Sequence, residues 1–583
     1  MAERLARRQL GILAVYCLVL FGFAMVSGRP LSLHESVLPQ SAREMLADGD
    51  WIVPKKGDTP WLESPPLPQW ITVSLASLFG RCDTEWVVRL GPTLVATLTT
   101  LMVAWMACLW FGRQLGFLAG FLFATTCQFT RYAWLAEDEI YLCGVITLAI
   151  AAFVRAEFGC HHRKLPGGWR FLWSSRPRQV VTFFFCLGFT NLVKGLMFGT
   201  VMAMVPIGLF LLMSRDSERI RRYVWPAGFL LFAAISLAWP VAAWMRYPDV
   251  IDVWRYDLGG RLDGSYVSMA EPWWYYPVNL LWMLLPWTLV IPAGMRITAS
   301  RAIRERLSGE RFLWCWALGI PLVFSLPHGK HHHYLLHGLA PWSILGAVGL
   351  VRVREWIRNW PARWRNPWNS LLTTGLPIVL VLVLLRDRMP VPVEVVWVTV
   401  CLIPPVAVLL SWATLHRNAG LAGATLFGVL ACIYCSGHWL AGEYVDRHRQ
   451  DVAFLKSVND RLEPGQTLLV DMDIDPLVGF LHLFYLNDQA IPLHNLSFVL
   501  DDQIGDSEVF VVTPESRKVD LSRWGEVSTE LRGWKTDRES ELLPEQLTLF
   551  RLRYNGSATR FSSNQVRVSP MQAMHREDGP WLR

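Results

Sequence analysis

Charge is scarce in this chain. Asp, Glu, Lys and Arg make up 18% of its 583 residues, against roughly a quarter in soluble domains. Hydrophobic residues make up 52%, and 30 residues are tryptophan. A water-soluble globule of this size would have to hide far too much apolar surface, so the composition excludes one and points to a polytopic membrane protein. The same figures exclude disorder, collagen and coiled coil. The eleven cysteines fall mostly in apolar runs and none lies beyond Cys435, which excludes a disulfide scaffold; even the CxxC of Cys432 and Cys435 sits in an apolar run, CIYC, and reads as small buried hydrophobes. No GxxxxGK[ST] occurs and no GxGxxG follows a strand, so no nucleotide loop is present. There is no internal repeat, and charges collect at span ends rather than mid-span, which weighs against a transporter or lipid flippase.

What is present is a series of long apolar runs. A membrane span needs about 20 mostly apolar residues. Such runs lie near 9–27, 87–110, 115–130, 138–155, 179–194, 196–214, 224–244, 274–295, 312–326, 333–350, 369–386, 393–413 and 420–438, about thirteen helices. The run 9–27 exceeds a usual signal-peptide core and no A-x-A site follows it, so it reads as the first span. The loops MAERLARRQ, FGRQ, SRDSERIRR, RITASRAIRERLSGER and VRVREWIRNWPARWRN are rich in Lys and Arg and alternate with acidic or mixed loops. The positive-inside rule places that basic set, with the N-terminus, in the cytoplasm, and an odd number of helices puts the C-terminal segment outside. The net charge of +7 is then topological and calls for no nucleic-acid partner.

The outer face carries the unusual chemistry. Its first loop, 28–86, contains a stretch from Pro39 to Ala47 and another from Leu67 to Leu78 that read as helices lying on the membrane. Glu44, Asp48 and Asp50 read as a wet helix face. His34, Glu35, Glu63, Asp138, Lys194, Arg261, Glu271, Lys330 and His331 to His333 all fall on that one surface, from five separate loops. Ionisable groups at such depth are costly unless paired or facing a watery cavity, so together they mark a candidate site. Lys and Arg suit a phosphate; a carboxylate suits acceptance of a proton from an attacking hydroxyl.

Several stretches then match a known family. They are AREMLADGDWIVP (42–54), ESPPLPQW (63–70), YAWLAEDEIYL (132–142), LVKG (192–195), LGGRLDG (258–264), EPWWYYPVNLLWMLLPW (271–287) and SLPHGKHHHYLLHGLAPW (325–342). In that order they resemble the family-39 membrane glycosyltransferases, which include the aminoarabinose transferase acting on lipid A and the protein O-mannosyltransferases. The resemblance covers about residues 10–350. It implies a mainly α transmembrane, GT-C-type fold and an inverting transfer from a polyprenyl-phosphate-sugar donor to an acceptor hydroxyl. That acceptor is lipid A, another glycolipid, a cell-envelope polymer or a protein. The setting implied is a bacterial inner membrane, with no cofactor required. By position the resemblance assigns catalytic parts to Glu35, Asp138 and His34, and donor-phosphate binding to Lys194, Arg261 and Lys330. Glu63 and His332 leave room for a divalent metal. The chain departs from the family pattern twice: His34 stands where the first acid of an Asp-Glu pair is usual, and Ser64 where Glu-Lys-Pro is usual. A non-catalytic binder of the sugar lipid is the other reading these departures allow.

Residues 1–440 read as the transmembrane unit and 441–583 as a C-terminal extracytoplasmic unit. There DVAFLKSVNDRL (451–462) and PLVGFLHLFYL (476–486) read as helices, and TLLVDM (467–472), EVFVVTP (508–514) and LTLFRLR (547–553) as strands, a small α/β arrangement.

Overall fold

The computed structural model describes residues 5–57, 59–79, 82–159, 168–195, 197–255, 271–359, 419–448, 451–472, 476–486, 490–493, 508–533 and 546–554. The spans read at 369–386 and 393–413, and Arg261, lie outside the described residues. The first helices along the chain are α1 (Arg7–Val26), α2 (Leu33–Asp48), α3 (Leu67–Phe79), α4 (Glu85–Phe111), α5 (Arg113–Ala124), α6 (Cys127–Ala133), α7 (Asp138–Phe158), α8 (Arg178–Phe189), α9 (Phe198–Ser214), α10 (Ser217–Tyr223) and α11 (Pro226–Arg246). Among the described residues, α1, α4, α7, α11 and the segment His332–Trp356 are long and apolar enough to cross a membrane; α3, α5 and α9 are shorter apolar helices.

Two of the runs read as single spans are broken instead. The 115–130 run stops at Ala124 and restarts at Cys127, because the Thr125 and Thr126 hydroxyls donate back to the carbonyls of Phe121 (2.7 Å) and Phe123 (2.9 Å). The 274–295 run splits into helices Tyr275–Met283 and Ile291–Arg304, with Pro286 between them removing a backbone donor. The two breaks meet: the Cys127 N–H donates to the Leu285 carbonyl at 2.9 Å. The Tyr434 hydroxyl donates to the Thr125 carbonyl at 2.8 Å. Elsewhere small residues bring helices together. A Cβ at Gly294 would strike the Leu345 carbonyl, and one at Gly349 the Val290 carbonyl, so helices Ile291–Arg304 and Leu339–Arg358 touch backbone to backbone.

Helix α2 starts earlier than its apolar spacing suggests. Ser32 caps it, and Glu35 closes a capping box by accepting the Ser32 N–H at 3.0 Å. Behind α2 the hairpin β1 (Lys55–Lys56) and β2 (Thr59–Pro60) folds back. The C-terminal residues form a five-stranded sheet of order β4-β3-β5-β7-β6, from β3 (Leu468–Asp471), β4 (Ala490–Leu493), β5 (Glu508–Pro514), β6 (Gly525–Arg532) and β7 (Leu547–Tyr554). Strand β3 runs parallel to β4 and β5; β7 runs antiparallel to β5 and β6. Its core is continuous with the first loop: Leu31, Leu33, Val88 and Ala136 pack in one cluster with Leu455, Val470 and Leu481. Arg43 of α2 donates to the Leu483 and Phe484 carbonyls at the end of helix Pro476–Tyr485. The Tyr485 hydroxyl accepts the Leu31 N–H at 2.7 Å and donates to Glu85 at 3.1 Å.

The packing of the first loop on itself corrects one expectation. Asp48 and Asp50 do reach solvent-side partners, Lys55 and Arg246. Glu44, however, is not on a wet face. Its Oε1 accepts from Gln40 and from the Gly57 N–H of the hairpin, each at 2.7 Å, and burial pushes its carboxyl up to about 7. A carboxyl raised in the fold costs stability as pH climbs from its unfolded value, about 4.3, through the folded one. Glu44→Gln is therefore expected to melt higher than wild type at pH 8, with the gap closing toward pH 5. Melting curves at the two pH values check it, and a gap independent of pH would overturn it.

Candidate functional site

The N-terminal end of α7 is where the loops converge. Glu137, Asp138 and Glu139 stand at its cap and first turn, where the helix dipole favours carboxylates. Their surroundings differ. Just upstream, the Ala136 N–H donates to Glu35 Oε1 at 3.2 Å. Glu139 is buried and takes an ion pair from Lys194; His333 and His337 lie 3.4 Å and 3.7 Å from its oxygens through Nε2. Lys194 also sits 5.8 Å above the Tyr334 ring. Asp138, half-buried beside them, lies within electrostatic reach of Lys194. Burial, then the charges of Glu35 and Glu139, push the Glu137 carboxyl up to about 8, so it holds a proton near neutrality.

Glu35 forms the second pole. It is 2% exposed. Arg89 of α4 grips it twice, Nε to Oε1 at 3.0 Å and Nη2 to Oε2 at 3.2 Å. With the Ser32 and Ala136 N–H groups, four donors converge on this one carboxylate. Burial alone would raise its pKa; Arg89 and these hydrogen bonds outweigh it and hold the carboxyl below the usual range. The other Arg89 donors reach the carbonyls of Ala24, Arg29 and Pro30. The pair thus ties the end of α1, the start of α2, α4 and the Ala136 turn to one point.

Three more of the residues named from the sequence have a described environment. His34 is exposed in the first turn of α2, next to Glu35. Lys330 is buried and donates to the Glu271 carbonyl at 2.7 Å, so the 271 and 330 loops are joined. His332 lies against the Trp282 ring, centroids 6.2 Å apart. Among the described residues no group of three or more His, Cys, Asp or Glu is arranged to hold a metal ion. Sequence reading missed Arg89 and His337. Arg89 had a signal: it is the lone charge inside the apolar run 87–110. His337 had only its nearness in sequence, four residues after His333 in the short 3-10 turn His332–Gly338.

Residues 63–244 match the sequence profile of the dolichyl-phosphate-mannose-protein mannosyltransferase family. Over 319 residues the chain is 29% identical to the undecaprenyl phosphate-alpha-4-amino-4-deoxy-L-arabinose arabinosyl transferase of Erwinia tasmaniensis, 54% of each chain being covered. It is 30% identical over 346 residues to the protein of that name from Edwardsiella ictaluri, covering 58% of each. The matched part thus spans a little over half the length of these curated relatives. Among solved structures, ArnT from Cupriavidus metallidurans bound to undecaprenyl phosphate superposes with a TM-score of 0.69 at 17% identity, over 93% of this chain and 98% of that one. The fold is that of this mainly helical membrane architecture, and the chain is similar to membrane glycosyltransferases of the aminoarabinose-transferase type, as its motifs imply.

Proposed function

We propose that the chain is an integral membrane glycosyltransferase that moves a sugar from a polyprenyl-phosphate donor to an acceptor hydroxyl at the outer face of the inner membrane. The observation that carries this is the α7 end, where a lysine and three consecutive carboxylates are gathered with two histidines at one end of the bundle. In the transfer, the acceptor oxygen bonds to the anomeric carbon while the bond from that carbon to the phosphate oxygen breaks. The polyprenyl phosphate leaves with the electron pair, and the acceptor proton passes to a carboxylate. Lys194 and Lys330, with Arg261, supply the fixed positive charge that stabilises the leaving phosphate. Asp138, beside Lys194, is the first candidate proton acceptor, and the exposed His34 at the first-loop position is the second. Glu35, already gripped by four donors, positions the loops rather than moving a proton. The acceptor is a hydroxyl of lipid A, another envelope lipid or polymer, or a protein. The N-terminus is cytoplasmic, and the C-terminal sheet lies outside with the first loop it covers.

A transfer assay in membranes with radiolabelled polyprenyl-phosphate sugars tests the reading. Asp138→Asn is expected to lose transfer by about 10²- to 10⁴-fold while donor binding stays. His34→Ala run alongside separates the two proton acceptors. Donor binding without transfer from any sugar, in wild type as in variants, would instead make the chain a non-catalytic sugar-lipid binder.

A further inference from the structure

The loop that carries Lys194 is fastened from beneath by one side chain that the reading above leaves unused. Asn191 lies in the short turn Thr190–Leu192 and is fully buried. Its Oδ1 accepts the Met197 N–H at 2.9 Å and the Thr200 hydroxyl at 3.0 Å. Its Nδ2 donates to the Ser236 hydroxyl of α11 at 2.7 Å, and Ser236 is itself buried. One carboxamide therefore joins both ends of the Lys194 loop and ties them to a neighbouring helix.

The loop needs such a fastening. Gly195 sits at φ +67° and Met197 at φ +72°. Glycine enters the left-handed region freely, whereas methionine is strained there and stays only where its surroundings over-determine it. The Met197 N–H is the group that Asn191 holds. The base below is closely packed: a Cβ at Gly199 would lie 2.5 Å from the Thr190 carbonyl, and the Thr190 and Thr200 hydroxyls are 3.2 Å apart. A buried asparagine serving only to satisfy its own helix end would bond locally. Here all three bonds run to groups across the loop or on another helix.

We infer that Asn191 is a positioning residue for Lys194: its carboxamide clasp sets how far the Lys194 ammonium reaches toward the donor phosphate. This rests on the assignment of Lys194 as a phosphate-holding cation. It predicts that Asn191 matters only through Lys194, which a general structural role would not.

A double-mutant cycle on the full-length chain in nanodiscs tests it, with undecaprenyl phosphate as the binding probe and the melting midpoint recorded for every variant. Asn191→Ala is expected to weaken undecaprenyl phosphate binding by about ten-fold in the Lys194 background, and by less than about two-fold when Lys194→Ala is already present. Thr200→Val, which keeps shape and removes one hydroxyl, carries the same test if Asn191→Ala fails to fold, and Thr200→Ser is expected to restore binding. Equal losses in both backgrounds would overturn the inference while leaving the phosphate assignment standing. If Lys194→Ala alone leaves binding unchanged, the phosphate assignment fails and the inference goes with it.

Discussion

Lys194→Ala is expected to lower transfer from the polyprenyl-phosphate donor by about 10²- to 10³-fold, the scale on which removing one preorganised charge-stabilising donor acts. A lysine 19% exposed, paired with a carboxylate 8% exposed, is an expensive arrangement unless its charge has work to do at the moment negative charge develops nearby. The difficulty is that Lys194 also neutralises Glu139. Deleting it strands a buried carboxylate, a defect of about 3–5 kcal/mol in such pairs, and lost transfer could then reflect a damaged fold. Lys194→Ala combined with Glu139→Gln separates the two effects, since it removes the stranded charge as well as the cation. The double variant is expected to regain the wild-type melting midpoint and still not transfer sugar. Transfer restored along with the fold would show Lys194 to be only the counterion of Glu139. The measurement is single-turnover transfer beside a melting curve for each variant.

Much of the fold is legible in the sequence because hydrophobic pattern decides it. The strand read at 508–514 is β5, and that read at 547–553 is β7 within a residue; both are alternating or fully apolar runs rich in Val, Leu and Phe. The helices read at 451–462 and 476–486 stand at Asp451–Arg461 and Pro476–Tyr485. Strands β4 and β6 escaped. AIPL carries a proline and lies at one edge of the sheet, and GEVSTELR is polar enough to read as loop, since as the other edge strand it shows little apolar face. The broken spans escaped for another reason. Hydropathy counts apolar residues and is blind to where a threonine hydroxyl or a proline interrupts the backbone ladder.

The site was half legible. The alternation of basic and acidic loops leads to the expectation that His34, Asp138, Lys194 and Lys330 share a surface. It could not say which carboxylate of Glu137, Asp138 and Glu139 meets Lys194. That depends on the 100° step between neighbours around a helix and on the angle at which the Lys194 loop arrives. Nor could it show that Glu35 is already engaged, because its partner Arg89 is 54 residues away inside a run counted as lipid-spanning.

That engagement leads to the second large effect. Arg89→Ala is expected to destabilise the protein by about 3–5 kcal/mol, because it leaves the Glu35 carboxylate buried without a cation. It also strips the Ala24, Arg29 and Pro30 carbonyls of a donor. The paired change Glu35→Leu with Arg89→Met is expected to recover most of that loss, since an apolar pair of similar volume removes both desolvation costs. The pH dependence has a definite sign. The Glu35 carboxyl is held low in the fold, so its contribution is fully present above its unfolded value, about 4.3, and is lost only as pH falls below that. The wild-type advantage over the apolar pair should therefore shrink on acidification and stay flat from pH 6 to 8. Transfer by the apolar pair then decides what Glu35 does. A positioning carboxylate can be replaced by packing, so some transfer returns with the fold; a proton-accepting one cannot, and the refolded double variant would stay inactive.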